Sequence, residues 1–147
     1  MRTKKVTLVA KTNPEKCEPD FKNIDSICEA FGIDPKSIRR GYLRAPSALH
    51  PHNGKMWLWW PSGANRLWEN RLSSDGLTFS SRGKNEPFNL SAVLRDAESG
   101  SLAVVFFRPA SGRYGYRFIG VFCTDAARSR KELRHIYARI SNRIELS

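Results

Sequence analysis

Hydrophobic and polar positions along this chain fall into distinct patterns, and each predicts an element. Leu102-Ala103-Val104-Val105-Phe106-Phe107 is almost continuously apolar, the pattern of a central strand buried on both faces. Tyr114 to Cys123 alternates instead. Tyr114, Tyr116, Phe118, Gly120 and Phe122 share one face, and Arg117, Ile119 and Val121 share the other. Asn23 to Gly32 reads as a short helix, capped by Asn23 or Asp25 and stopped by Gly32. Asp34 caps a second helix, with Pro35 at its first position, where a missing N–H costs nothing. That helix is expected to run to about Leu43 and to end at Ala45-Pro46.

The remaining strand signals are shorter. Val6, Leu8 and Ala10 alternate with Thr7 and Val9, and Thr12-Asn13-Pro14 ends the run. Lys55 to Trp60 is a tryptophan-rich strand closed by Pro61-Ser62-Gly63. Asp75-Gly76 marks a tight turn between Trp68–Leu72 and Leu77–Ser80. Phe88 to Arg95, with Leu90, Ala92 and Leu94, is expected to open an antiparallel meander. Ala126 to Glu132 predicts a helical turn or more, and Ile136 to Ile140 a closing strand.

The expected fold class is therefore α+β, with two short N-terminal helices and a curved, mostly antiparallel sheet or small barrel of five or more strands. Residues 1–147 are expected to form a single domain. Within it, 1–11 is a basic arm or edge strand, 24–44 a helical hairpin and 55–140 a β-rich core.

Composition narrows the function classes. The 147 residues are 40% hydrophobic, too apolar for a disordered chain and enough for one core. No apolar run approaches the ~20 residues of a membrane span, and Val6–Ala10 is too short for a signal peptide core. Three widely spaced cysteines, Cys17, Cys28 and Cys123, contain no Cys-x-x-Cys pair, which argues against a zinc ribbon and for reduced thiols in a cytoplasmic setting.

Charge changes the picture most. Lys and Arg number 25 against 14 Asp and Glu, a net charge of +11 that fits a polyanion partner. The charge is clustered. Arg108 to Arg143 holds Arg108, Arg113, Arg117, Arg128, Arg130, Lys131, Arg134, Arg139 and Arg143, opposed by Asp125 and Glu132 alone. Arginine suits bidentate phosphate or guanine contact better than lysine does. Further clusters are Lys36, Arg39, Arg40 and Arg44, and the arm Arg2, Lys4, Lys5 and Lys11.

Candidate chemistry is sparse. Ile24 to Leu43 fits a helix-turn-helix displaying Lys36, Ser37, Arg39 and Arg40, or a helical hairpin plugging one end of a barrel. The hairpin is preferred, since no third helix precedes it. Trp57 and Trp59 share one face of their strand and offer either core or a platform on which a base could stack. His50 and His52 read as a loop, with a metal or nuclease role as the sharper alternative. No Gly-x-Ser-x-Gly, P-loop or His-Glu-x-x-His occurs, and Glu69, Asp75 and Asp96 form no evident acid–base pair.

The segments Val104–Arg108, Tyr116–Phe122 and Tyr137–Ser141 resemble the closing strands of PUA-like and SRA-like β-barrel DNA-reader domains, which are attached to restriction-type nucleases and helicases. The resemblance covers the last third of the chain. It implies a reader of modified or distorted nucleic acid and transfers no base-pocket residue.

The sequence thus predicts a non-enzymatic nucleic-acid-binding domain in a defence or restriction context, with DNA ahead of RNA as ligand. Phosphate contacts are expected from Lys36, Arg39, Arg40, Arg108, Arg113, Arg117, Arg128, Arg130 and Arg134, and base stacking from Trp57, Trp59 or Tyr116. No catalytic residue, metal, cofactor or membrane contact is expected. A protein partner stays open, because an interaction module or a phage or bacterial inhibitor of a nucleic-acid enzyme is the first alternative. A small nuclease or toxin using His50 or His52 is the second.

Overall fold

A computed structural model describes residues 6–11, 13–37, 42–45, 55–110 and 114–146. Seven strands form one mixed sheet. They are β2 (Tyr42–Arg44), β3 (Met56–Trp59), β4 (Trp68–Leu72), β5 (Thr78–Gly83), β6 (Leu102–Phe107), β7 (Arg117–Thr124) and β8 (His135–Ser141). Their order is β2-β3-β6-β7-β8-β5-β4, with β3 and β6 parallel and every other pair antiparallel. A separate ribbon pairs β1 (Val6–Val9) with β9 (Arg143–Leu146). The helices are α1 (Ile24–Ala30), α2 (Leu90–Ser99) and α3 (Ala126–Glu132). Among the described residues, no helix is long and apolar enough to cross a membrane.

The sheet is strongly curved. Trp59 of β3 and Phe79 of β5 lie four strands apart, which on a flat sheet is roughly 19 Å. Their rings are nevertheless 5.2 Å apart, so the face that carries them is concave. The curl does not close into a barrel, since β2 and β4 remain edges. Asn70 Nδ2 of β4 donates to the Ser62 carbonyl beyond β3 at 3.0 Å and narrows the gap.

Each face has its own core. On the convex face Leu58, Val104, Phe106 and Phe118 are fully buried beneath α1 and the β1–β9 ribbon. Phe106 sits at the centre of four rings, with Phe21, Phe31 and Phe118 at 5.5, 5.8 and 5.9 Å. On the concave face Phe79, Val105, Phe107, Ile119 and Phe122 form a smaller cluster against Trp59, Leu72 and Tyr137.

Three sequence expectations are corrected. Among the described residues one N-terminal α-helix forms, and the second expected one is not seen. Pro35–Ser37 makes a single 3-10 turn, and Tyr42–Arg44 is strand β2, because half-buried Leu43 gains cross-strand pairing with Leu58. The supposed strand at Phe88–Arg95 is helix α2. Leu90, Val93, Leu94 and Ala97 carry helical spacing, Asn89 caps the start through Ala92 N–H, and Gly100 ends it at φ 70. The two-residue alternation through β7 is broken. A bulge places Phe118 opposite Phe106 but Gly120 opposite Val105, so Phe118 and Phe122 enter different cores. Gly120 is required there, because a Cβ would lie 2.5 Å from Arg139 Cδ at a φ of +131.

Candidate functional site

Strand register carries several polar side chains to one end of the concave face. Asn70 of β4 stands opposite Ser81 of β5, which stands opposite His135 of β8. Thr124 at the end of β7 stands opposite Tyr137. Trp57 and Trp59 of β3 and Ala103 of β6 complete the same face. All of these but Thr124, which sits behind the wall, line a cavity of about 740 Å³, together with Tyr42, Trp68, Asp96 and Phe122.

The rings are held at fixed angles. Trp59 stands edge-on to Phe79 and leans on Tyr137 at 5.3 Å, which anchors it at the base. Trp57 touches Tyr42 edge-on at 5.7 Å, and Tyr42 is exposed. Trp68 is 44% exposed at the rim. The cavity is therefore apolar at depth and amphipathic toward its mouth.

Its polar wall is a hydrogen-bonded chain. Tyr137 OH lies 3.1 Å from His135 Nδ1, with the two rings stacked 4.0 Å apart. His135 Nε2 lies 2.7 Å from Thr124 Oγ1, which also donates to Asp96 Oδ2. Donor counting orders the protons, because Thr124 has one hydrogen. Thr124 gives it to the Asp96 carboxylate, so His135 Nε2–H must donate to Thr124. Burial first, and the Asp96 charge second, raise the Tyr137 pKa, so the phenol stays protonated and donates to Nδ1. On the adjoining strands Ser81 Oγ donates to Asn70 Oδ1 at 2.7 Å, and Asn70 is also tied to Ser62, so its amide orientation is fixed.

Burial pushes the Asp96 pKa up, but the His135 imidazole beside it and the hydrogen bond from Thr124 outweigh it, leaving the carboxyl below its usual range. A group with a lowered folded pKa stabilises fully above its unfolded value, ~3.9, and loses that contribution as pH falls through the folded value. The stability difference between the native protein and Asp96→Asn is thus expected to be greatest near neutral pH and to close below about pH 4. Denaturant midpoints across pH check this, and a constant difference would contradict it.

Among the described residues, the arginines of the last third do not converge on this cavity, and no basic residue expected to grip phosphate lines it. Arg117 is 1% exposed, and its guanidinium donates to the carbonyls of Cys17, Tyr114 and Gly115, so it is a structural residue in place of the expected phosphate contact. Arg134 is held by Glu69 and Ser80. Arg128 is exposed but bonded to Glu132 and Thr78. Arg130 is exposed on α3, Lys36 is exposed beyond α1, and Arg108 is exposed after β6, at the opposite end of that strand from Leu102 of the cavity. Arg39, Arg40, Arg113, His50 and His52 lie outside the described residues. Tyr116 is 8% exposed within the convex core and is not available for stacking. Among the described residues, no group of three or more His, Cys, Asp or Glu is placed to hold a metal ion. Cys28 is buried, and burial raises its thiol pKa.

Sequence reasoning passed over Asn70, Ser81, Asp96, Thr124, His135 and Tyr137. It also passed over Lys55 and Lys84, which with Arg66 are exposed and lie within three residues of cavity-lining positions in sequence. Lys84 Nζ donates to the carbonyl of Asn65, itself at the cavity.

The model of the family described as SET and RING associated domain, SRA, matches residues 15–146. No curated protein matches the chain. Among solved structures, the chain is similar to one titled "The 5-Hydroxymethylcytosine-Specific Restriction Enzyme AbaSI", with a TM-score of 0.57 and 24% identity. That match covers 85% of this chain and 39% of the other, so the chain spans well under half of that enzyme's length.

Proposed function

This chain belongs to the SET and RING associated domain family, and from that premise we propose that it is a DNA-binding reader of modified cytosine, which receives the base in the concave cavity after it has left the duplex. The observation that carries the reading is one cavity in which indole and phenol rings face a hydrogen-bonded polar wall. A base buried there meets both demands of extrahelical recognition, stacking on a ring and hydrogen bonding along its edge. Trp57, beside exposed Tyr42, is the stacking surface nearer the mouth, and Trp59 is the floor. Asn70, Ser81, Asp96 and His135 supply the edge contacts. The role is recognition without catalysis, in a restriction or defence setting.

Phosphate contacts in this reading come from Lys55, Arg66 and Lys84 around the mouth, with the other exposed basic residues adding a diffuse field. Three neutralised phosphates give a log–log salt slope of about −2.7 on duplex DNA.

The test is equilibrium binding to duplexes that differ in one base, either cytosine, methylcytosine or hydroxymethylcytosine. Hydroxymethylcytosine comes first, as the base named for the restriction enzyme of similar fold. Preference for a modified duplex is expected, with quenching of tryptophan fluorescence. Trp57→Ala should reduce affinity for the modified duplex by about 5- to 150-fold, equivalent to ~1–3 kcal/mol of stacking, and affinity for plain duplex far less. Equal binding to all three duplexes, with unchanged fluorescence, would refute the reading.

A further inference from the structure

Three strands supply the polar row of the cavity, and one arginine ties them together from behind. Side chains alternate along a strand. Asn70, Ser81 and His135 face the cavity, so their neighbours Glu69, Ser80 and Arg134 lie on the convex face. There Arg134 Nε donates to Ser80 Oγ at 3.3 Å, Nη1 to Glu69 Oε1 at 2.8 Å and Nη2 to the Glu69 carbonyl at 2.9 Å. All three guanidinium nitrogens are engaged, and the side chain is 14% exposed. Arg71 shares the Glu69 carboxylate but is 66% exposed, so Arg134 is the interior partner.

The span matters. Arg134 immediately precedes β8 and reaches across β5 to β4, roughly 10 Å at two strand spacings. Among the described strands β4 is a sheet edge that pairs with β5 alone, and it carries Asn70. We propose that Arg134 is a positioning residue for base recognition, fixing the register of Asn70 and Ser81 against His135 and so setting how sharply the cavity separates a modified base from cytosine. The proposal rests on the base-reader reading given above. Recognition geometry must hold to about 0.5 Å, and that precision comes from supporting contacts of this kind. A lysine has no planar fork and cannot replace the three bonds.

The experiment compares the native protein with Arg134→Gln, Arg134→Lys and Glu69→Gln. Each is titrated with duplexes carrying cytosine or hydroxymethylcytosine at several salt concentrations, and the side-chain amide signals of Asn70 are followed by NMR in the free protein. The expected result is a fall of about tenfold or more in the ratio of the two affinities, as for outer-shell partners elsewhere. Affinity for the cytosine duplex and the salt slope stay unchanged, the Asn70 signals move, and Arg134→Lys does not rescue. Glu69→Gln keeps the backbone acceptor and supplies the comparison should Arg134→Gln fail to fold. An unchanged ratio overturns the proposal. So does equal weakening of both duplexes with a slope shallower by about 0.9, which would make Arg134 a phosphate contact. Should the native protein show no preference at all, the base-reader reading fails by itself. The clamp is then judged on the Asn70 signals, which overturn it if unmoved in the variants and uphold its positioning action if shifted.

Discussion

Arg117→Ala is expected to destabilise the protein by several kcal/mol while leaving the salt dependence of DNA binding unchanged. Arg117 is the largest fully buried side chain among the described residues. It donates to Cys17 O at 3.1 Å, Tyr114 O at 3.0 Å and Gly115 O at 2.9 Å. Removing it strands three carbonyls, each worth ~1–3 kcal/mol when buried and unpaired, so a total on the order of 3–9 kcal/mol is expected. The loss also frees the segment around Cys17 to Phe21. That segment is held by Asp20 and Phe21 N–H groups on the Tyr116 carbonyl and by Asp20 Oδ2 on Phe118 N–H. Gly115 is part of the same joint, since a Cβ there would lie 2.5 Å from Pro19 Cβ at a φ of +88. Chemical denaturation combined with a salt titration of DNA binding checks the prediction. A variant of native stability with a salt slope shallower by about 0.9 would restore Arg117 as a phosphate ligand.

Phe106→Ala is expected to cost ~3–5 kcal/mol, the range for removing a buried aromatic ring and leaving a cavity. Phe106 is completely buried, and three phenylalanine rings from different parts of the chain close around it. Phe21 and Phe31 approach from the N-terminal region and Phe118 from β7, so collapse of the surroundings would need three elements to move together. At this chain length the cost corresponds to a melting temperature lower by roughly 6–20 °C. Thermal unfolding followed by near-ultraviolet circular dichroism measures it. A shift of one or two degrees would mean that the cavity refills and that this core is not close-packed.

Both residues show where local pattern suffices and where it does not. Leu102–Phe107 announces a central strand by unbroken apolarity, and it is one, with Val104, Val105 and Phe106 fully buried. The helix at Ile24–Ala30 follows from Asn23 and its capping-box partner Ser26. The closing strand at Ile136–Ile140 follows from its apolar and aromatic content, and it forms the middle of β8. These signals lie within a few residues of one another, which is why a single sequence reveals them. Arg117 also lies within a legible strand, but its polar side chain reads as surface. Its satisfaction at Cys17, 100 residues away, is invisible to any local rule.

The cavity is the larger example. Composition and charge alone give a basic chain with enough apolar residues for a folded interior, and the aromatic strand already marks Trp57 and Trp59. The polar wall is assembled by register. Asp96 meets Thr124 across 28 residues, and Ser81 meets Asn70 across 11. Asp96 becomes usable because Phe88–Arg95 belongs largely to a helix that turns it toward β7 and β8, not to a strand. The clustered arginines are dispersed by the same folding. Alternation sends Arg134 to the convex face, the β7 joint buries Arg117, and α3 carries Arg128 to Thr78. Local sequence determines which side chains are apolar, which segments curl or extend, and the total charge, because those depend on neighbours along the chain. Which polar groups share a pocket, and which cations are left for a ligand, depends on strand order, a bulge in β7 and the curvature of the sheet, and these arise only when distant segments bury their apolar faces together.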